Sequence, residues 1–158
     1  MENKECCPQF DPATWQGREV IWVEKAFIQD RVTTFMHIPL NMSRVILRMF
    51  AKIQKADAAP AASDFLMLAR GPSPWHCDMY MNVTKPVPDA KMVKLSGTFL
   101  TKVFDGPYNR VPKWLEEMGQ YVAQKGRKAL KYYIYFTTCP KCMKKWGHNY
   151  VVVFAQVA

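Results

Sequence analysis

Cysteine is the first residue type here whose spacing suggests chemistry. The chain has Cys6 and Cys7 in CCP, Cys77 alone, and Cys139 with Cys142 in TTCPKCMKKWGH. A CxxC pair is half of a four-thiolate zinc site, and Cys6 and Cys7 supply the other half if the N-terminus folds back. Redox work needs the CxxC at the start of a helix after a strand, whereas a strand is expected to follow at Asn149. Inert loop thiols are the plainer expectation. His37, His76 and His148 are far apart, without ligand spacing. No nucleophile elbow, P-loop, zinc-protease or cofactor signature is found, so no cofactor is expected.

The second candidate chemistry is rings around one acid. Trp, Tyr and Phe make up 13% of the chain, more than a small core needs, so some should line a surface or cavity. In CDMYMNV the alternates Cys77, Met79 and Met81 suit a core, which turns Asp78, Tyr80 and Asn82 outward. In DFLMLA and YYIYFT, Leu66, Leu68, Ile134 and Phe136 should face helices, and Phe65, Met67, Tyr133 and Tyr135 the opposite side. Tyrosines with one carboxylate would suit a flat, possibly cationic ligand. The alternative is that Tyr133 and Tyr135 are half-exposed strand residues.

Elements must position these groups. REVIWVEK (18–25) and DRVTTFMHIP (30–39) read as two strands, the second stopped by Pro39. From Asn41, an expected N-cap, Met42, Val45, Ile46, Met49, Phe50 and Ile53 mark one helical face. ADAAPAAS is a loop, and the strands DFLMLA and CDMYMNV flank a GPSP turn. The order then recurs. MVKLSGTFLTKVF (92–104) is a strand, and Val111, Trp114, Leu115, Met118, Tyr121 and Val122 form a second helical face. KYYIYFTT and NYVVVFAQV close the chain.

One register shift lays Pro39 on Pro107, Asn41 on Asn109, Ile46 on Trp114 and Phe50 on Met118. A slightly longer one lays Trp75 on Trp146. We read an internal duplication, with shared patterning as the alternative. The expected fold is therefore one α+β domain over 1–158. An N-terminal extension (1–27) precedes two pseudo-symmetric strand-helix-strand-strand repeats (about 28–88 and 90–158), with antiparallel sheet and a central ligand groove.

GTFLTKVFDGPYNRVPKWLEEMGQYVAQKG followed by YYIYFTTCP places a strand, a GPY corner, an amphipathic helix ending in Gly and an aromatic strand in one order. From Ser96 to Val157 this resembles the GyrI-like small-molecule-binding family, which includes the effector-binding domains of BmrR-type regulators. The resemblance implies an aromatic groove for varied, often cationic lipophilic compounds. It implies ligand contacts for Trp75, Asp78, Tyr80, Phe104, Tyr108, Trp114, Tyr133, Tyr135 and Trp146, with Gly106 and Pro107 turning the chain to set Tyr108 at the groove mouth. The family's buried glutamate on the last strand has no counterpart in NYVVVFAQV, and Asp78 is the nearest substitute.

The length leaves no expected room for a helix-turn-helix segment, so a stand-alone binder, acting as sink or sensor, is the favoured reading. The alternatives are a hydrolase of cyclopropane-bearing toxins using Asp78, Tyr80, Tyr108 and Tyr133, and a zinc- or thiol-dependent protein through Cys139 and Cys142.

Lys and Arg number 22 against 13 Asp and Glu, a net charge of +9. The basic residues are scattered, and no helix pairs a basic stripe with base-reading amides, so nucleic acid is not an expected partner. No apolar run is long enough for a membrane span, and MENKECCPQFDP lacks a signal-peptide core, so the expectation is cytoplasmic.

Overall fold

The computed structural model of the chain describes residues 12–36, 38–61, 64–73, 75–107, 110–136 and 150–157. After a short 3-10 helix, Pro12–Thr14, come strands β1 Glu19–Phe35 and β2 Ile38–Pro39, helix α1 Met42–Lys55, and strands β3 Met67–Ser73, β4 His76–Asn82 and β5 Lys91–Asp105. Helix α2 Val111–Gln124 and strands β6 Ala129–Phe136 and β7 Tyr150–Val157 follow. The fold is α+β.

The chain divides into two compact units, Trp22–Ser96 and a second built from Met1–Ile21 with Gly97–Ala158. In the first, the antiparallel strands run β2-β1-β4-β3. In the second they run β6-β7-β5, again antiparallel. Each unit connects strand, helix, strand, strand, and the last strand made lies between the other two. The residues expected to form an N-terminal extension are divided, those up to Ile21 falling in the second unit.

Helix α1 buries Val45, Met49 and Ile53, one residue per turn, and Lys52 and Lys55 in its last turn suit the negative end of the dipole. The stripe is narrower than expected, because Phe50 turns aside to stack on Phe65 with ring centroids 5.4 Å apart. Asn41 stands at the N-cap position as expected, but its side chain makes no capping bond. Its Oδ1 instead accepts the Thr33 N–H at 2.8 Å, tying the helix start to β1.

Helix α2 repeats the spacing with Trp114, Met118 and Val122. Its first turn holds Pro112, where a missing N–H costs nothing. Pro107 stands before the helix, its carbonyl accepting the Arg110 N–H at 3.0 Å. Gly106 has φ +151, and a Cβ there would lie 3.3 Å from the Trp114 ring. The corner therefore needs glycine both for backbone angle and for space.

Two expected strands prove to be one. Ala26 to Ile28 do not break β1, since Phe27 lies opposite Asn82 and Ile28 opposite Met81. The kink falls at Glu24, φ +48, whose N–H donates to Ser96 Oγ at 2.7 Å. Buried Asn82 then fixes the approach to β3: its Oδ1 accepts the Leu66 N–H at 2.7 Å and its Nδ2 donates to the Asp64 carbonyl at 2.8 Å. Gly71 to Ser73, expected in a turn, extend β3 with a register shift between Arg70 and Ser73.

Among the described residues, no helix is long and apolar enough to cross a membrane.

Candidate functional site

In the unit that carries α2, the helix covers one face of the sheet. Leu100, Val151, Val153, Ala155 and Val157 pack with Trp114, Met118 and Val122, and Phe104, Tyr132 and Ile134 border them. Phe104 stacks on Trp114 with centroids 5.5 Å apart and planes 19° apart. Both of these expected ligand contacts are thus engaged with α2.

Alternation sends the neighbouring residues to the other face. Thr101, Phe154 and Tyr133 stand side by side across β5, β7 and β6, and the next row is Val103, Val152 and Tyr135. Phe99 meets Tyr133 edge-on at 6.1 Å. These two rows carry no Asp, Glu, Lys or Arg. Asp105 stands past them, exposed at the end of β5.

A residue without a place in the sequence reading completes this face. The Trp15 ring lies 5.1 Å from Phe154 and 6.4 Å from Tyr135, at 89° to the latter. Phe154 beneath it is fully buried, while Trp15 and Tyr135 are half-buried. The segment is held along β5. The Thr101 hydroxyl donates to the Trp15 carbonyl, the Val103 N–H to Gln16 Oε1 at 2.8 Å, and the Gly17 N–H to the Thr101 carbonyl at 3.1 Å. The Thr101 N–H then donates to the Arg18 carbonyl at 2.9 Å. Gly17 adopts φ +64, the angle that lets the chain leave the strand edge and lay Trp15 on the face.

The other unit places Asp78 in the middle of its central strand, opposite Arg31 on β1 and Arg70 on β3. Asp78 Oδ1 accepts the Arg31 Nε–H at 3.4 Å; Asp78 is buried and the Arg31 side chain is 63% exposed. Tyr80 lies two residues on, buried on the same face, opposite Gln29 and Leu68. Burial, and after it the Asp78 charge, push the Cys77 thiol up to about 11. Trp75 is 56% exposed at the β3–β4 turn, where it meets Phe35 at 5.7 Å.

The register overturns part of the expected face assignment. Leu68 lies opposite Tyr80 and Met67 opposite Met81, so Leu68 shares a face with Tyr80 and Asp78, and Met67 with the supposed core residues Met79 and Met81. Nearly all of β4 is buried, so polarity along it does not report which side is which.

A family model described as "Bacterial hydrolase" matches residues 1–157. The chain belongs to this bacterial hydrolase family. A search of curated proteins finds no match. Among solved structures, a hydrolase from Listeria innocua is similar at TM-score 0.64 and 8% identity, covering 91% of this chain and 92% of that one. The EcmrR C-terminal domain gives 0.62 at 12% identity, with 91% and 98% covered. SAV2435, in a structure bound to tetraphenylphosphonium, gives 0.52 at 11% identity, with 90% and 94% covered. At these identities the likeness is one of fold, and it places this bacterial hydrolase family member on the fold of the EcmrR C-terminal domain.

Of the expected contacts, Tyr133 and Tyr135 share the ring-lined face, Phe104 and Trp114 share the helix side, and Asp78 and Tyr80 share a face of the other unit. Tyr108 and Trp146 lie outside the described residues, as do Cys6, Cys7, Cys139 and Cys142, and with them the zinc and thiol reading. Among the described residues, no cluster of His, Cys, Asp or Glu could hold a metal. Trp15, Phe99 and Phe154 were missed. Phe154 could have been found by extending the Tyr133 row onto the next strand, and Phe99 as the same-face neighbour of Thr101 two residues before it, whereas Trp15 in QFDPATWQGR has no periodic partner.

Proposed function

We propose that the chain is a binder of lipophilic aromatic small molecules, a sink or sensor, and that its ligands lie on the face formed by Phe99, Tyr133, Tyr135 and Phe154. The observation that carries this is the pair of rows described above, rings with hydroxyls and no Asp, Glu, Lys or Arg within them; the adjoining row of Phe99 and Gln156 ends in Lys131. A planar ligand stacks there at about 0.5–1.5 kcal/mol per ring beyond its area. A lipophilic cation finds no carboxylate in those rows and gains no charge complement, so neutral ligands are preferred over cationic ones. The fold shared with SAV2435, whose structure holds tetraphenylphosphonium, supports small molecules as the ligand class. We read the two units as duplicated modules, on their shared connectivity and on helices that bury residues at equal spacing.

The test is calorimetric titration with a neutral and a cationic planar dye of matched shape. The neutral dye should bind at micromolar affinity, and Tyr135→Ala, a half-buried change, should weaken it about tenfold. No binding across a panel, or affinity unchanged in Tyr135→Ala, rules the reading out.

The family's description favours a second reading, hydrolysis, with Asp78 and Tyr80 as the polar pair on one face. Asp78 is already answered by Arg31, which orients it but also occupies it. If Asp78 acts as an acid or base, Asp78→Asn should lower turnover of a neutral, reactive substrate about a hundredfold or more while leaving its binding intact.

A further inference from the structure

We propose that the β1–β2 end of the unit Trp22–Ser96 is a docking tip for an anionic lipid surface. Phe35, Met36, Leu40 and Trp75 enter the headgroup layer there, and Arg31 and Arg44 meet lipid phosphates. The inference goes beyond small-molecule binding and does not depend on it. Three observations carry it.

Exposure concentrated in one place is the first. Phe35 and Trp75 are 55% and 56% exposed, and Met36 and Leu40 63% each. The backbone gathers them at the end of β1: the Thr34 N–H donates to the Trp75 carbonyl at 2.9 Å, and the Leu40 N–H to the Thr33 carbonyl at 2.9 Å. The Phe35 and Trp75 rings meet with centroids 5.7 Å apart. One exposed apolar side chain needs no explanation, but four gathered together mark an interaction surface.

The second is that local rules are broken at this end. Phe35 pairs with Ile38, so Met36 stands in the connection between β1 and β2, and its φ is +49. Gly or Asn ordinarily fills a hairpin position of that kind, and a thioether gains nothing there from the backbone. Arg44 sits in the first turn of α1, where the positive end of the dipole favours an acid and the turn has none. It is exposed, and among the described residues no carboxylate lies within ion-pair reach of it. Each choice costs the fold something and displays a group that a lipid surface can use.

Charge, the third observation, selects the partner. From Arg31 to Lys55 the sequence has five Lys and Arg and no Asp or Glu, and from Phe65 to Cys77 it has Arg70 and again no acid. Asp30 and Asp78, which adjoin these stretches, are held by Arg48 and Arg31, and the Arg31 side chain is still 63% exposed. Cations beside an aromatic tip complement anionic headgroups, and an indole suits the boundary between headgroup and acyl chain. A second copy would bring cation against cation. Four half-exposed side chains also fall short of the roughly 800 Å² a side that a stable protein interface covers. The tip rests in the interface and crosses nothing.

The experiment co-sediments the full-length chain with vesicles of phosphatidylcholine alone and with vesicles containing about one-third phosphatidylglycerol, and follows the chain without vesicles by sedimentation equilibrium. The wild type is expected to bind the anionic vesicles at least about tenfold more tightly than the neutral ones, less so as salt rises. Met36→Asn, which suits the backbone and should keep or raise the melting temperature, is expected to lower that affinity about fivefold. Trp75→Ala should lower it about tenfold, and Arg44→Gln about fivefold. No binding to anionic vesicles, equal binding to both kinds, or affinity unchanged in Met36→Asn and Trp75→Ala overturns the inference. Dimerisation without vesicles that is lost in Met36→Asn assigns the tip to a second copy, and overturns it too.

Discussion

In the unit Trp22–Ser96 the central strand carries Asp78 between Arg31 and Arg70, whereas in the unit of Gly97–Ala158 it carries Phe154 between Thr101 and Tyr133. The strand order is the same and the chemistry is opposite. Asp78 is satisfied within its own sheet, which makes it a poor partner for a ligand's charge. Phe154 is covered by an indole that arrives from a distant part of the chain. One face is answered by its own strands, while the other also draws on a segment far away in the sequence.

The comparison breaks most visibly through Trp114. It is 4% exposed and packed on Phe104, so Trp114→Ala should cost about 3–5 kcal/mol, read by urea unfolding. Hydrogen exchange should show the loss in Gly97–Val157 first. Equal loosening of Trp22–Ser96 would mean that the two units do not respond separately.

Next in size is Cys77. With its thiol pushed up to about 11, it should alkylate at neutral pH about a hundredfold more slowly than a free cysteine, as read by peptide mass spectrometry. Labelling at the free-cysteine rate would show that β4 opens readily and that its charged row is not a closed one.

The smallest effect sharpens the comparison through acid. Burial raises the Asp30 carboxyl, but the hydrogen bonds and charge of Arg48, at 2.8 and 2.9 Å, together with the Arg31 N–H and the Lys52 charge, outweigh it and leave the group below its ordinary value. A lowered folded-state value means stability that is present above the unfolded carboxylate range and is lost as pH falls through the folded one. Below about pH 4 the unit Trp22–Ser96 should therefore weaken. Asp30→Asn should cost about 0.5 kcal/mol at neutral pH, the scale of a largely exposed pair, and should flatten that acid limb in melting curves. An unchanged acid limb would remove Asp30 from the account.

Legibility in the sequence followed the periodicity of each element. The stripes Val45, Met49, Ile53 and Trp114, Met118, Val122 could be read because a helix that is polar on one side displays its period. Strands β4 and β7 hide theirs: Asp78 to Asn82 and Val151 to Ala155 are buried without interruption, so alternation carries no signal and the faces of Leu68 and Met67 were misjudged. The N-cap position of Asn41 was legible because caps are local, but its side-chain partner, Thr33 on the preceding strand, was not. Trp15 escaped for the same reason in stronger form, since a single ring in a polar segment says nothing about the strand that will receive it.

The Thr101 hydroxyl reaches back across 86 residues to the Trp15 carbonyl, and that separation sets an order of events during synthesis. The segment bearing Trp15 leaves the ribosome before the rings it will rest on, Tyr135 and Phe154. Throughout the interval the indole has no home and the Trp22–Ser96 stretch can close without it. The Trp15 segment, translated earlier, therefore cannot dock until the strand bearing Phe154 has emerged.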